Sequence, residues 1–437
     1  MSGTGQALYE RARKRIPGGT QLLSKRPEMF LPGGWPSYYR EARGALVWDL
    51  DGNQYIDMSH NGIGACVLGA ADPGVNEAVK LAIERGSMAT LNCPEEVELA
   101  DLLCEIHPWA EMVRFARTGG EAMAIAVRIA RAHTQRDRIA FCGYHGWHDW
   151  YLAANLPGED RLEGHLLAGL DPLGVPRGLT DTAFPFHYNQ VEELEEIVSK
   201  HGDALAAIVM EPIRSDAPHP GFLERVKEIS REAGAILIFD EISSGFRLNS
   251  GGAHRVFGVE PDIAVFAKAI SNGYPMAAVI GTAPVMQASQ CTFISSTYWT
   301  ERIGPAAALA TIRKHQRYRV GEHLIAIGRL VQAGWKAAAE SANLSVAVGG
   351  IPPLSHFAIA SPEGQAAHTL FTQLMLERGF LAGKAFYATF AHTEEQVNQY
   401  LAATREVFTI LGQELARGTV ASRLQGPVAH SGFTRLT

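Results

Sequence analysis

Short apolar runs alternate with amphipathic helical patterns through the middle of the chain. Apolar runs of strand length occupy residues 112–117, 138–144, 204–212, 235–241 and 263–270. Helical periodicity lies between them, at residues 121–134 and 223–234. This alternation predicts an α/β fold, with a mostly parallel sheet covered by helices on both faces. Ligands bind beyond the carboxyl ends of parallel strands, so the residues that follow these runs are the first candidates for a functional site.

The two ends of the chain have a different pattern. Residues 44–58, GALVWDLDGNQYIDM, predict two short strands joined by an Asp-Gly-Asn turn. A long helical stretch begins near residue 305 and leads into mixed strands and helices. We therefore predict a large ligand-binding domain over residues 71–310 and a smaller α+β domain. The segment 1–70 and the C-terminal residues 311–437 would build the smaller domain together.

Composition places the chain among globular proteins and excludes several classes of function. The 437 residues are 46% hydrophobic and 19% charged, which is ordinary for a packed protein. A net charge of −7 argues against binding to nucleic acid or to an anionic membrane. The five cysteines are scattered and form no C-x-x-C pair, and the charged start of the chain lacks the apolar stretch of a signal peptide. These features predict a reduced, cytoplasmic protein with no membrane span.

The first candidate for ligand binding is the turn between a predicted strand and a predicted helix. Thr118, Gly119 and Gly120 directly precede the helical pattern of residues 121–134. Free N–H groups at a helix start favour an anion, and glycines let a phosphate approach the backbone closely. The alternative is a plain strand–helix turn in which Thr118 caps the helix. No lysine follows the glycines, so this is not a Walker loop.

The second candidate is an aromatic segment that follows another predicted strand. Residues 144–150, YHGWHDW, contain a tyrosine, two tryptophans and two histidines. Tyr144 at the end of a strand could stack on a flat ring. His145 and His148 could instead bind a metal, but no third ligand is evident nearby, and we predict no metal site. Ordinary aromatic packing in a loop is the remaining alternative.

A carboxylate and a lysine complete the candidate set. Residues 236–239 read as a strand buried on both faces, and Asp240 stands at its carboxyl end. Asp240 is either a surface charge or an acid that waits for a buried cation. Lys268 is flanked by apolar residues that predict burial, and burial yields the free amine that a Schiff base needs. The alternative is a lysine whose stem is buried while its head reaches water.

These four features together point to one class of cofactor. A pyridinium ring with a phosphate arm and an aldehyde needs a phosphate cradle, an aromatic support, a carboxylate and a lysine. The carboxylate keeps the ring nitrogen protonated, so that the ring can accept electrons. The lysine captures the aldehyde and then transfers the proton.

The sequence resembles the class III pyridoxal-phosphate-dependent aminotransferases of fold type I over nearly its whole length. Residues 44–58 are similar to the N-terminal signature of that family. Residues 240–247, DEISSGFR, and 261–281, PDIAVFAKAISNGYPMAAVIG, are similar to its pyridoxal signature. The segments 11–19 and 115–131 place the chain closest to the branch of glutamate-1-semialdehyde 2,1-aminomutase.

The resemblance implies pyridoxal 5′-phosphate as the cofactor and a role for each matching residue. Lys268 would form the Schiff base, and Asp240 would pair with the pyridine nitrogen. Ile242 and Tyr144 would cover the two faces of the ring, and Gly119 with Gly120 would hold the phosphate. The expected catalytic residues are Lys268, Asp240 and Tyr144.

The resemblance also implies a homodimer with shared active sites. Thr297 would contact the phosphate of the neighbouring subunit's cofactor. Glu211 and His145 would lie near the cofactor, with roles that the resemblance leaves open. The partners implied are an amino-acid donor and a small carbonyl acceptor.

Several positions depart from the aminomutase pattern. Ile63 stands where that branch carries a tryptophan, and Tyr387 stands in place of an acidic residue. Only Lys25 and Arg26 correspond to its substrate-binding arginine. We therefore expect an aminotransferase that acts on an aldehyde or ketone. Residues 24–27, SKRP, resemble a segment of enzymes that aminate sugar-type carbonyls in carbohydrate biosynthesis, which implies an acceptor of that kind. An intramolecular aminomutase is the alternative, and a metal- or nucleotide-binding α/β protein is a third.

Overall fold

The computed structural model describes residues 3–158, 161–162, 165, 169–213 and 215–432. The chain forms two compact units. The central unit comprises residues 73–321, and the terminal unit combines the residues up to 72 with those from 322 onward. The domain boundaries given above, near residues 70 and 310, stay a prediction.

The strands and α-helices of the described residues have the following bounds. The strands are β1 Tyr39–Arg43, β2 Leu46–Asp49, β3 Gln54–Met58, β4 Met112–Ala116, β5 Arg138–Cys142, β6 Ala183–Pro185, β7 Leu205–Met210, β8 Ile236–Asp240, β9 Ile263–Phe266, β10 Ala277–Gly281, β11 Val346–Gly349, β12 Leu354–Ile359, β13 Phe380–Ala382 and β14 Ala385–Tyr387. The helices are α1 Thr4–Arg13, α2 Pro73–Glu84, α3 Pro94–Ile106, α4 Gly119–Thr134, α5 Asp149–Leu152, α6 Val191–His201, α7 Phe222–Ala233, α8 His254–Phe257, α9 Ala283–Met286, α10 Ile303–Arg317, α11 Val320–Ser341, α12 Gly364–Glu377 and α13 Glu394–Arg417.

The central unit is built around one mixed sheet. Among the described residues its seven strands run in the order β4-β10-β9-β8-β7-β5-β6. β10 is antiparallel to both β4 and β9, and the other neighbouring pairs are parallel. The predicted fold class, a mostly parallel sheet, is confirmed. The apolar pattern identified five of these strands and missed β6 and β10.

Helices cover both faces of this sheet, and the burial of β8 shows why. Ile236 and Ile238 belong to the core cluster that contains the buried face of α4. Leu237 and Phe239 belong to the cluster that contains the buried face of α7. Successive side chains of a strand point to opposite faces, so a strand between two helical layers must be apolar at every position.

The carboxyl ends of the parallel strands meet at one edge of the sheet. β4, β5, β7, β8 and β9 run in the same direction, since β10 is antiparallel to both β4 and β9. The prediction of a strand over residues 263–270 was too long, because β9 ends at Phe266. Lys268 has a left-handed backbone, with φ +46°, and opens a short 3₁₀ turn that ends at Ser271. A residue in this conformation cannot continue a strand.

The terminal unit contains two smaller sheets, in the orders β1-β2-β3-β13 and β11-β12-β14. The predicted turn between β2 and β3 is present, and Asp49 closes it by accepting hydrogen bonds from the backbone N–H groups of Asp51 and Asn53, at 2.9 and 2.8 Å. Trp335 and Phe357 pack edge to face in its core, with ring centres 4.9 Å apart. In the part of the chain that the structure describes, no helix combines the length and apolar character needed to cross a membrane.

Candidate active site

Asp240 is a buried carboxylate with two hydrogen-bond donors. Its side chain is buried at the end of β8, where the residue is only 3% exposed. Oδ2 lies 2.8 Å from Nδ1 of His145, and Oδ1 accepts a hydrogen bond of 3.0 Å from the backbone N–H of Ile242. The low exposure of Asp240 excludes a surface charge and leaves the interpretation as a buried acid. Each carboxylate oxygen keeps a further lone pair for another donor.

His145 faces hydrogen-bond acceptors on both sides of its ring. Nδ1 points at Asp240, and Nε2 lies 3.0 Å from the carbonyl oxygen of Cys142. A carbonyl can only accept, so Nε2 carries a proton. Nδ1, on the other side of the ring, pairs with the buried carboxylate of Asp240. This pairing removes much of the penalty for burying Asp240.

Lys268 follows the neighbouring strand β9 and reaches a serine hydroxyl. Its Nζ donates a hydrogen bond of 2.7 Å to Oγ of Ser243, a residue that is only 8% exposed. Lys268 itself is half-buried, so the expected burial is only partial. Asp240 pairs with Val265 across β8 and β9, three residues before Lys268. The acid and the lysine thus leave adjacent parallel strands at the same edge of the sheet.

The start of α4 is tightly packed around its two glycines. A Cβ atom at Gly119 would lie 2.9 Å from Cδ1 of Ile242. A Cβ atom at Gly120 would lie 3.0 Å from Nδ1 of His148. That Nδ1 is buried and has no hydrogen-bond partner among the described residues. The first N–H groups of a helix lack partners within the helix, so this turn offers donors to an anion.

Tyr144 and Glu211 follow β5 and β7 at the same edge. Tyr144 is half-buried, and its ring meets the ring of Tyr151 edge-on at 5.8 Å. Glu211 is buried, and its Oε2 would lie 3.2 Å from a Cβ atom at Gly143. The same Cβ would lie 3.7 Å from the ring of His145, so Glu211 and His145 occupy one neighbourhood.

Thr297 lies on an exposed segment of the central unit. It opens a single 3₁₀ turn over residues 297–300 and is solvent-exposed. Arg117, next to the glycine turn, donates hydrogen bonds of 2.9 and 3.0 Å to the carbonyl oxygens of Trp299 and Glu301. The Thr297 segment is therefore tied to the strand that precedes α4.

The carboxylate next to Asp240, Glu241, had a role that the sequence left unresolved. Glu241 is fully buried, and its Oε1 accepts hydrogen bonds from N and Nδ1 of His254, at 2.9 and 2.8 Å. Its Oε2 accepts a hydrogen bond of 2.6 Å from Ser244. Nε2 of His254 accepts a hydrogen bond of 3.1 Å from the indole N–H of Trp109. Burial alone would raise the pKa of Glu241, but the hydrogen bonds from His254 and Ser244 outweigh burial and lower that pKa.

The family of the chain follows from comparison with known proteins. The model of the family described as aminotransferase class-III matches residues 33–385. The chain is a class-III aminotransferase. The predicted family and the predicted fold type I are both confirmed.

Relatives of this aminotransferase match it over nearly their whole length. A 3-aminobutyryl-CoA aminotransferase of Cloacimonas acidaminovorans (strain Evry) is 33% identical over 413 residues, which cover 92% of this chain and 95% of the relative. The FumI protein of Sphingopyxis sp. MTA144 is 26% identical, with a TM-score of 0.85 and coverage of 95% and 98% of the two chains. An ω-transaminase of Sphaerobacter thermophilus is 28% identical, with a TM-score of 0.83 and coverage of 94% and 98%.

The cofactor of this aminotransferase is pyridoxal 5′-phosphate, as predicted. The residues at the edge of the sheet fit that group. Asp240 offers a buried carboxylate with spare lone pairs, and Lys268 offers an amine one strand away. At the start of α4, a Cβ would crowd its neighbours at either glycine, and Nδ1 of His148 is a buried nitrogen without a partner. The described residues contain no group of three or more His, Cys, Asp or Glu placed to hold a metal ion.

Some of the predicted site residues contact one another in the structure, and others do not. Asp240 contacts His145, and Ile242 packs where a Cβ of Gly119 would stand. Ser243 and the Glu241 network were not predicted, because two consecutive serines and a second acid in DEISSGFR carry no sign of which way each side chain points. The individual roles of the nine predicted residues stay predictions.

Glu241→Gln tests the buried network. The amide would place an N–H₂ group against N–H and O–H donors, so we expect a loss of about 3 kcal/mol in the free energy of unfolding at pH 7.5. Glu241 has a lowered pKa in the folded state, so its stabilisation is present above its unfolded pKa of about 4.3 and is lost as the pH falls through the lower folded value. Urea unfolding between pH 3.5 and 7.5 should show the gap between variant and wild type closing at the acid end.

The matched control is Glu228→Gln, on the exposed face of α7. Glu228 is 54% exposed and pairs with Arg225 at 3.4 Å. Its loss should leave the unfolding curve unchanged, because exposed pairs contribute little. Equal stability of the Glu241 and Glu228 variants at pH 7.5 would contradict the anchoring role of Glu241.

Proposed function

We propose that this class-III aminotransferase moves an amino group from an amino-acid donor to an aldehyde or ketone acceptor, with Lys268 and Asp240 as its central catalytic residues. The observation that carries this proposal is the placement of the two residues. Asp240 ends β8, Lys268 follows β9, and the two strands pair in parallel with Asp240 opposite Val265. A flat ring at this edge could meet the carboxylate at its nitrogen and the amine at its aldehyde.

Pyridoxal phosphate, when bound, supplies an aldehyde that captures amines and a ring that withdraws electrons from the substrate carbon. Asp240 would hold a proton on the ring nitrogen, because its carboxylate is buried, pairs with His145 and keeps lone pairs for a further donor. Nζ of Lys268 would take the proton that leaves the donor carbon and deliver it again. Tyr144, as the third predicted catalytic residue, would cover one face of the ring, and Ile242 would cover the other.

Phosphate binding would occur at the start of α4. The backbone N–H groups at Gly119 and Gly120 would donate to the phosphate, helped by the positive end of the helix dipole. Glu121 would not oppose the anion directly, because its carboxylate accepts a hydrogen bond of 3.0 Å from the backbone N–H of Arg117. Glu211 would remain a buried neighbour of His145.

We propose that the reacting carbonyl group of the acceptor is not adjacent to a free carboxylate. Two relatives support this choice by name, a 3-aminobutyryl-CoA aminotransferase and an ω-transaminase. A sugar-type carbonyl satisfies the same condition and stays within the proposal. The aminomutase alternative gains no support, because Ile63 and Tyr387 replace the tryptophan and the acid expected of that branch.

A reaction with the amino donor alone tests the activity. The purified enzyme loaded with pyridoxal phosphate should release one equivalent of keto acid and then stop, because no acceptor removes the nitrogen. Aldehydes, 3-oxo thioesters and keto sugars added afterwards should restore turnover in an order that reveals the acceptor. Lys268→Ala should give no keto acid.

Different results would contradict different parts of this proposal. An aminomutase would isomerise glutamate-1-semialdehyde without any donor. A protein that stays colourless with pyridoxal phosphate, or a Lys268→Ala variant as active as wild type, would exclude the proposed role of Lys268.

Asp240→Asn tests the proposed partner of the ring nitrogen. The amide should leave the cofactor bound, since its other contacts remain, but should lower transamination by about a thousandfold or more, because an unprotonated ring withdraws electrons poorly. Absorbance of the bound cofactor and single-turnover rates check the two halves of this expectation. A variant with near-normal turnover would show that Asp240 does not fill this role.

A homodimer is proposed from the surface near Thr297. Phe293 and Tyr298 on this segment are 84% and 68% exposed. The backbone N–H of Arg302 donates a hydrogen bond of 2.9 Å to the carbonyl of Ser87, so the segment lies beside residues 86–93, where Leu91 is 83% exposed. Large apolar side chains that are exposed to this degree favour burial against a second copy. Thr297 would then contact the cofactor phosphate of the partner subunit.

Phe293→Asp tests this interface by sedimentation. A buried carboxylate without a cationic partner should weaken the dimer, so the variant should sediment as a monomer and lose most of its activity. Val256→Asp is the matched control, because Val256 is also exposed, at 56%, but lies on α8. A wild-type protein that is monomeric at micromolar concentration would contradict the proposed dimer.

A further inference from the structure

The Lys268 amine is held by a side chain to which the sequence reasoning gave no role. Its Nζ donates to Oγ of Ser243 at 2.7 Å. A neutral lysine amine has two N–H groups and one lone pair. Once one N–H is committed to a fixed acceptor, the lone pair can no longer rotate freely about the Cε–Nζ bond.

Ser243 is itself fixed by the turn that follows β8. The residue is buried, and its carbonyl oxygen accepts a hydrogen bond of 3.2 Å from Nε of Arg247. The backbone N–H of Gly245 donates 2.8 Å to the carbonyl of Glu241 and closes the turn. A Cβ at Gly245 would lie 2.6 Å from that carbonyl, so the turn is too tight for a larger residue.

Of the two consecutive serines in this turn, one donates a hydrogen bond and the other accepts one. The hydroxyl of Ser244 donates to the buried carboxylate of Glu241 at 2.6 Å, on the side of His254. The hydroxyl of Ser243 accepts from Lys268 instead. The two neighbouring hydroxyls therefore serve different partners, one in the Glu241 network and one at Lys268.

The backbone of Lys268 is constrained at the other end of the contact. Its φ of +46° lies in the left-handed region, which is rare for a residue with a side chain. Such a conformation persists only where the surroundings impose it, and it is found at functional sites. Both partners of the Nζ–Oγ contact are therefore held from their backbones.

We propose that Ser243 is a positioning residue for proton transfer by Lys268. The inference rests on the proposed function, in which Nζ takes a proton from the donor's α-carbon while the electron pair of the C–H bond stays on carbon. With one N–H bound to Ser243, the lone pair of the amine is confined to the two remaining tetrahedral positions of Nζ. After the transfer Nζ is an ammonium, and its hydrogen bond to the hydroxyl becomes charge-assisted and stronger.

Ser243→Ala tests the proposal in a single turnover of the cofactor-loaded enzyme with an amino-acid donor. Loss of the acceptor should slow the proton transfer by about ten- to a hundredfold, as expected when a reacting group is misplaced. Use of the α-deuterated donor should give a larger isotope effect than in wild type, because proton transfer then limits the rate more fully. The donor concentration for half-saturation should stay nearly constant.

Two further variants separate positioning from structure. Ser243→Thr keeps the hydroxyl and should restore most of the rate. Ser244→Ala removes a hydroxyl of the same turn that faces Glu241, and it should lower the thermal midpoint without raising the isotope effect. If Ser243→Ala does not fold, Ser243→Cys replaces it, and its weaker acceptor should give a slowed rate with the same rise in isotope effect.

The proposal is overturned if Ser243→Ala transfers the proton at the wild-type rate, or if its loss of rate comes with an unchanged isotope effect. Either result leaves the proposed function intact, provided that Lys268→Ala remains inactive. An active Lys268→Ala variant would instead remove the proposed function itself.

Discussion

A carboxylate buried at the end of a core strand is the constraint on which the candidate site depends. Asp240 is placed there because β8 is apolar at four positions and lies between two helical layers. A charge in that position requires cationic partners or several hydrogen bonds. His145 and the backbone N–H of Ile242 supply the protein's share of this compensation, and the carbonyl of Cys142 holds the His145 ring in place. The remaining lone pairs of Asp240 are what a protonated ring nitrogen would use.

The polar side chains at the end of β8 and in the turn that follows it have different hydrogen-bond partners. Asp240 points toward His145, Glu241 toward His254, Ser243 toward Lys268 and Ser244 back to Glu241. Four polar side chains within five residues would be unstable in a core if any lacked a partner. The tightness of the turn at Gly245 and the buried Glu241 network make the arrangement rigid. Rigidity matters here because orientation of reacting groups contributes a large part of catalysis.

The sequence allowed prediction of those features that depend on local pattern. The buried strand before Asp240, the glycines at the start of α4 and the loop between β2 and β3 all follow from apolar runs or turn residues. The two strands β6 and β10 are only three and five residues long and carry no distinctive boundary, so the pattern missed them. The directions of Ser243 and Ser244 depend on tertiary contacts with Lys268 and Glu241. No periodicity in one sequence can encode such contacts.

The positions that argue for pyridoxal chemistry and those that depart from the aminomutase pattern lie in different units. Asp240 and Lys268 belong to the central unit, whereas Ile63 and Tyr387 belong to the terminal unit. Ile63 has a φ of +57°, which is rare and costly for a β-branched residue. It stands between two glycines that also have positive φ, so three successive residues hold a conformation that only glycine adopts freely. Such strain persists only where the surrounding structure imposes it, so the departure at Ile63 is held in place by the packing of its own unit.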